Sequence, residues 1–209
     1  MSTLLKFILG FTPSCDRRLI DQISPLIRTR SIVKNDFLLN AGKTCRKLCF
    51  ITSGICYKYL ADHKGDNVVQ FYDEGDLAGD YCSFVCQEPS RYHIKTLEEV
   101  EVQELHYNDI SLLYESSPVF ERIARRMTEH YLCRMTDRLF SFQHDSPEMR
   151  YLNLQRERPA LLQQVPQYLI ASYLGITPVG LSKIRSRISN SRHVAGANSG
   201  DLTVMSQLI

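Results

Sequence analysis

The chain has 209 residues, 44% of them hydrophobic and 23% charged, with a formal net charge of +2. A chain of that size buries one large or two small cores, and its ordinary composition excludes collagenous, disordered and disulfide-framework classes. The apolar run over residues 4–11 is too short to span a bilayer and is followed by Pro13 and charged residues without a small-residue cleavage site, so a soluble, cytoplasmic protein with no membrane partner is expected.

Residues 31–107 read as β-rich. Gly42, Gly54, Gly65, Gly75 and Gly79 punctuate the run, with candidate strands over 47–52, 55–60, 67–72, 93–97 and 100–107. The polar stretch 62–67 has the composition of a hairpin turn, and an antiparallel sandwich or jelly roll follows. The seven cysteines, at 15, 45, 49, 56, 82, 86 and 133, are odd in number and irregularly spaced, so reduced thiols are expected. Cys45 with Cys49 and Cys82 with Cys86 lack the CxxC spacing of a metal or iron–sulfur site, and no metal is expected. His63, His93, His106, His130 and Met127 are haem ligands only in the sense that any such side chain is; isolated histidines are ordinarily surface or core residues.

From Asn108 to about Phe142 the period becomes helical, and Phe120, Ile123, Met127, Tyr131 and Leu139 mark one apolar stripe. A helix of about 25 residues from Pro118 needs a partner for that stripe; a second copy is the economical choice, and its own sandwich is the alternative. Asp145-Ser146-Pro147 then stops the helix, and residues 148–154 begin a further domain.

Residues 164–188 read as two short helices joined by a tight turn. Pro166 is expected at the first position of a helix carrying Leu169, Ile170, Tyr173 and Leu174, Gly175 ends it, and Thr177 with Pro178 starts the next. On that second helix Leu181, Ile184 and Ile188 share one face, leaving Val179, Gly180, Ser182, Lys183 and Ser186 on or near the face a DNA major groove would meet. Thr177 sits at a helix N-terminus suited to phosphate, Arg185 and Arg187 flank the apolar stripe as backbone clamps, and Lys183 is the first choice for a base-edge contact. Charge agrees: from residue 150 onward there are seven basic residues against two acidic ones, whereas the first 149 hold 18 against 21. Such asymmetry suits nucleic acid, although a helical hairpin buried in a larger fold remains the plain alternative. Residues 193–195 and 202–205, separated by the turn-rich GANSGD, suggest a two-stranded wing with Arg192 near a phosphate, or a disordered tail.

HExxH, G-x-S-x-G, P-loop and dinucleotide motifs are absent, and Glu98 and Glu99, being adjacent on a strand, face opposite sides, so no enzyme is expected.

The order β-roll, long helix and winged helix-turn-helix, together with Ile170-Ala-Ser-Tyr-Leu-Gly-Ile-Thr-Pro178, resembles the Crp/Fnr superfamily of bacterial transcription regulators over nearly the whole chain. The resemblance implies an α+β fold with a cyclic-nucleotide-binding-like sensor over residues 1–117, a dimerisation helix over 118–145 and a winged helix-turn-helix over 146–209. It implies a homodimer reading a two-fold-symmetric operator in double-stranded DNA, with RNA polymerase as a further partner. Val179 and Gly180 stand where family members carry Glu and Ser or Thr, and Lys183 replaces the usual Arg, so base preference does not transfer. In cyclic-AMP-binding members a Gly-Glu-Leu turn holds the ribose and an Arg-Ser pair the phosphate; here Gly75-Asp76-Leu77 and Arg91-Tyr92 match. Asp76 keeps a carboxylate and Arg91 a cationic fork, while Tyr92 crowds the site and the segment 78–90 looks longer than the family pattern. A cyclic nucleotide, another small anionic effector, or no effector all remain open. Only Cys15 lies near the N-terminus, so the oxygen-sensing cysteine cluster of other members is unsupported. The competing reading of the whole is a ligand-sensing module whose basic helix docks an acidic protein.

Overall fold

The computed structural model describes residues 1–12, 17–63 and 65–198. Contacts divide the chain into two compact units, Met1–His144 and Asp145–Ile209.

In the first unit, helices α1 (Thr3–Leu9) and α2 (Arg17–Ile23) and a 3-10 turn (Ser24–Leu26) precede β1 (Arg28–Ile32), β2 (Phe37–Leu39), β3 (Lys47–Ser53), β4 (Cys56–Asp62), β5 (Gly65–Tyr72) and β6 (Leu77–Ala78). Helix α3 (Tyr81–Cys86), β7 (His93–Thr96), β8 (Val100–His106), α4 (Tyr107–Ser116) and α5 (Pro118–His144) complete it. The strands form two four-stranded antiparallel sheets, β1-β8-β3-β6 and β2-β7-β4-β5. Alternation sets the faces: on β8, Val100 and Val102 are buried while Glu101 between them is exposed, and Ile51 of β3 sits opposite Val102. Inward residues of one sheet (Ile51, Val100, Val102) meet those of the other (Leu39, Cys56, Ile94) in one core. This is the antiparallel β-roll expected, with the long helix after it.

Each expected strand lies within two residues of an observed one. The hairpin at 62–67 is β4–β5, with Asp62 paired to Gly65. Gly42, Gly54, Gly65 and Gly75 all have positive φ, as turn glycines do. At Gly54 a Cβ would lie 2.4 Å from the Glu99 carbonyl oxygen, so the β3–β4 turn has room for glycine alone.

β1, β2 and β6 were not expected. Only Ile32 of β1 is buried, and β2 and β6 have three and two residues, too few to show a period. Most of the apolar run 4–11 lies in α1, an amphipathic helix that ends at Leu9: Ser2 Oγ accepts the Leu5 amide at 3.2 Å, and Leu4, Leu5 and Ile8 enter the core. The helical stretch from 108 is two helices, since Ser117 is extended before Pro118.

The second unit contains α6 (Pro147–Glu157), α7 (Pro159–Gln164), α8 (Gln167–Tyr173) and α9 (Pro178–Asn198). Ser146 caps α6 by accepting the Met149 amide. Leu154, Leu161, Leu169, Ile170, Leu174 and Leu181 are buried. Two expectations need correction. Pro166 is the N-cap of α8, with extended ψ of 137°, and not its first helical residue. Residues 193–195, expected as a wing strand, continue α9; the run after Ile188 has no proline to stop a helix, and no strand among the described residues of this unit offers a partner. The second expected wing strand, 202–205, lies outside the described residues.

Candidate nucleic-acid interface and sensor cassette

Between α8 and α9 the backbone makes a Schellman turn. Gly175 has φ of +68°, its amide reaches the Ser172 carbonyl at 3.0 Å, and the Ile176 amide reaches the Ala171 carbonyl at 3.0 Å. Thr177 then caps α9: its Oγ1 accepts the Gly180 amide at 3.1 Å and its carbonyl accepts the Leu181 amide at 3.0 Å. Leu181 and Ile184 are buried, and Ile188 is half-buried. Thr177, Val179, Ser182, Lys183, Arg185, Ser186 and Arg187 are exposed, while Gly180 is half-buried. Val179 is 66% exposed, an unusual place for a bare apolar side chain unless something meets it.

Arg187 and Arg150 of this unit are already engaged. Arg187 Nη1 lies 2.8 Å from Glu148 Oε2 on α6, so this expected phosphate clamp is held by a carboxylate. Arg150 donates from Nε to the Leu174 carbonyl at 3.1 Å and from Nη1 to the Asp145 carbonyl at 2.7 Å, serving as a tie between the start of α6 and the end of α8.

In the first unit, the residues singled out for an effector fall into two groups. Gly75 and Asp76 form the turn before β6: the Gly75 amide meets the Ile51 carbonyl at 3.0 Å and the Ile51 amide meets the Asp76 carbonyl at 2.9 Å. Asp76 is buried; Oδ2 accepts the Asp73 amide at 3.2 Å, and Oδ1 lies 3.7 Å from Arg134 Nη1 on α5. The Leu77 amide donates to Tyr131 Oη, also on α5, at 3.2 Å. Burial, with a smaller contribution from the Asp76 charge, pushes the Tyr72 and Tyr131 hydroxyls up, so both stay neutral.

The second group surrounds Tyr92. Lys58 Nζ lies 4.3 Å from the centre of the Tyr92 ring and 3.1 Å from Asp80 Oδ1. Ser90 Oγ donates to Asp80 Oδ2 at 2.7 Å and accepts the Tyr92 amide at 3.0 Å. Arg91 is exposed. Thus the cation at this corner is Lys58, already neutralised by a carboxylate of the same segment. A cavity of about 290 Å³ is lined by Leu38, Leu39, Ala78, Gly79 and Ile94 together with Arg46, Lys47 and His106.

Residues 29–117 match the cyclic nucleotide-binding domain family. Among solved structures, the c-di-GMP responsive global regulator CLP of Xanthomonas campestris aligns with a TM-score of 0.65 at 15% identity, over 84% of this chain and 93% of that one. A CooA mutant from Carboxydothermus hydrogenoformans aligns with a TM-score of 0.62 at 14% identity over 86% of each chain. The Thermus thermophilus catabolite activator protein aligns with a TM-score of 0.52 at 15% identity, over 88% of this chain and 87% of that one. The chain has the Crp/Fnr fold. No curated protein sequence matches it.

Within the Crp/Fnr frame, three features were missed from sequence: the Lys58–Asp80 pair, Ser90, and the α5 residue Arg134. A lysine inside the otherwise apolar run Cys56-Tyr-Lys-Tyr-Leu60 was the available signal, since a buried ammonium needs a partner. Further along α5, Leu132, Met135, Leu139 and Phe142 recur at spacings of three, four and three and are 65%, 51%, 59% and 39% exposed. That is the three-and-four spacing of coiled-coil a and d positions. Among the described residues no helix is long and apolar enough to cross a membrane.

Proposed function

We propose that this Crp/Fnr-fold protein is a homodimeric transcription regulator that reads two-fold-symmetric double-stranded DNA through α9. The observation that carries the reading is the Schellman turn and Thr177 cap, which set α9 on a buried apolar stripe and leave Val179, Ser182, Lys183 and Ser186 bare. In this reading Lys183 meets a base edge, Val179 a thymine methyl, and Arg185 and Arg187 the backbone, with the Thr177 end of α9 against a phosphate. The seam on α5 supplies the second copy. A small anionic effector enters near Arg91 and Tyr92, with Gly75, Asp76 and Leu77 forming the other wall; because Asp76 and Leu77 bond to Arg134 and Tyr131, occupancy biases α5 and the reading heads that follow it in the chain.

Gel-shift titration tests the roles on α9. Lys183→Ala is expected to cost about 1–3 kcal/mol on the preferred sequence and nothing on sequences already altered at the base it reads. Equal loss on every sequence would make Lys183 a phosphate contact. Glu148→Gln removes the carboxylate that holds Arg187, so binding should tighten several-fold on all sequences, with a salt slope steeper by about one. An unchanged slope would mean that Arg187 stays away from DNA.

A further inference from the structure

Of the cysteines described, Cys45, Cys49 and Cys56 are buried, and Cys82, Cys86 and Cys133 are exposed. Burial pushes the Cys49 thiol up to about 12 and raises that of Cys45, so these two are neutral, inert wall residues at ordinary pH. Cys82 and Cys86 differ. Both lie on α3, four residues apart, so their side chains stand one above the other on the same helix face. The opposite face fixes the helix: Phe84 is buried against the Tyr107 ring, and Ser83 Oγ accepts the Cys45 amide at 2.9 Å. A rigidly seated helix therefore presents two thiols to solvent as a pair.

We propose that Cys82 and Cys86 form a bidentate dithiol site for a soft, thiophilic ligand of the trivalent arsenical class. Among the described residues no group of three or more His, Cys, Asp or Glu gathers to hold a metal ion, so the site suits an acceptor satisfied by two sulfurs and not tetrahedral zinc. With an organoarsenic oxide the reaction balances without an oxidant. Each sulfur bonds to arsenic, the two As–S bonds replace the As=O bond, and both thiol protons leave with the oxygen as one water; arsenic stays trivalent. Direct oxidation suits the geometry less. Side chains four apart on a helix hold their Cβ atoms about 5–6 Å apart, whereas a disulfide needs about 3.5–4.5 Å, so α3 would have to unwind. An atom bridging the two sulfurs spans the longer gap. The site also has a route to the rest of the sensor: Asp80, which pairs with Lys58, directly precedes α3, and Tyr81 Oη lies 3.1 Å from Thr128 Oγ1 on α5.

The test is titration of the full chain with phenylarsine oxide, read by native mass spectrometry. The wild type is expected to take one phenylarsenic group with loss of both thiol protons. Cys82→Ser and Cys86→Ser each remove the chelate and should raise the half-saturating concentration by about 10²–10⁴-fold, the usual gain of a tethered second contact. Cys133→Ser should titrate as the wild type does. Both target side chains are exposed, and circular dichroism melts matching the wild type are the check that the serine variants fold. A Cys82→Ser/Cys86→Ser variant that still takes up one group at wild-type concentration would overturn the proposal, as would a wild type that takes up none.

Discussion

Replacing Leu132 and Leu139 together by aspartate is expected to convert the protein to a monomer and to lower its affinity for a symmetric operator by about a hundredfold or more. The apolar side chains at 132, 135, 139 and 142 keep the three-and-four rhythm of an a/d seam and are all exposed on α5. Burying a leucine of this kind against a second helix stabilises by about 1.5–3 kcal/mol, and a carboxylate in its place must be desolvated with no partner. Two such changes per chain act four times in a dimer. Loss of operator affinity follows because the second reading head then binds as a separate molecule; tethering ordinarily supplies a factor of about 10²–10⁴. Sedimentation equilibrium checks the first part and gel-shift titration the second. A variant that remains dimeric with unchanged binding would place the interface elsewhere.

The second large effect is expected at the sensor corner. Lys58 and Asp80 are paired at 3.1 Å with side chains only 13% and 7% exposed. Asp80→Ala strands the ammonium under the Tyr92 ring and removes the shorter of the two acceptors of Ser90 Oγ, so urea denaturation should show a loss of about 3–5 kcal/mol. Lys58→Met with Asp80→Ala removes both charges and should recover most of that loss, since a buried pair is worth little against apolar replacements of similar volume. Added phosphate should stabilise Asp80→Ala and leave the wild type unchanged, because only the variant has a buried cation in want of an anion. A wild type stabilised equally by phosphate would mean that Asp80 already yields its place to a ligand.

Legibility followed the range of the interaction. The helix-turn-helix was readable because its signals are local: Gly175 at positive φ, the Thr177 cap and apolar residues three and four apart all fall within two dozen residues. β3, β4, β5, β7 and β8 were readable for the same reason, through alternation and turn glycines. β1 was not, because four of its five residues are exposed. The stripe on α5 was seen as one feature, but the fold divides it. Phe120 and Ile123 are buried in the roll's core and Met127 packs against it, whereas Leu139 is exposed. Which part of a stripe is covered depends on where the roll ends, and that is not a local property. The Lys58–Asp80 and Arg187–Glu148 pairs join residues 22 and 39 apart in sequence. No periodicity foretells such partners, so the charge state of the sensor corner and the engagement of one expected DNA clamp emerged only from the folded arrangement.

Selection of bound sequences from random duplex DNA, at a salt concentration near physiological where non-specific phosphate binding is suppressed, tests the central claim most directly. A dimer reading through α9 predicts enrichment of a two-fold-symmetric motif with half-sites about one helical turn apart. Absence of any enriched motif, with and without small anionic ligands such as cyclic nucleotides, would contradict the claim and leave the basic face of α9 to an acidic protein partner.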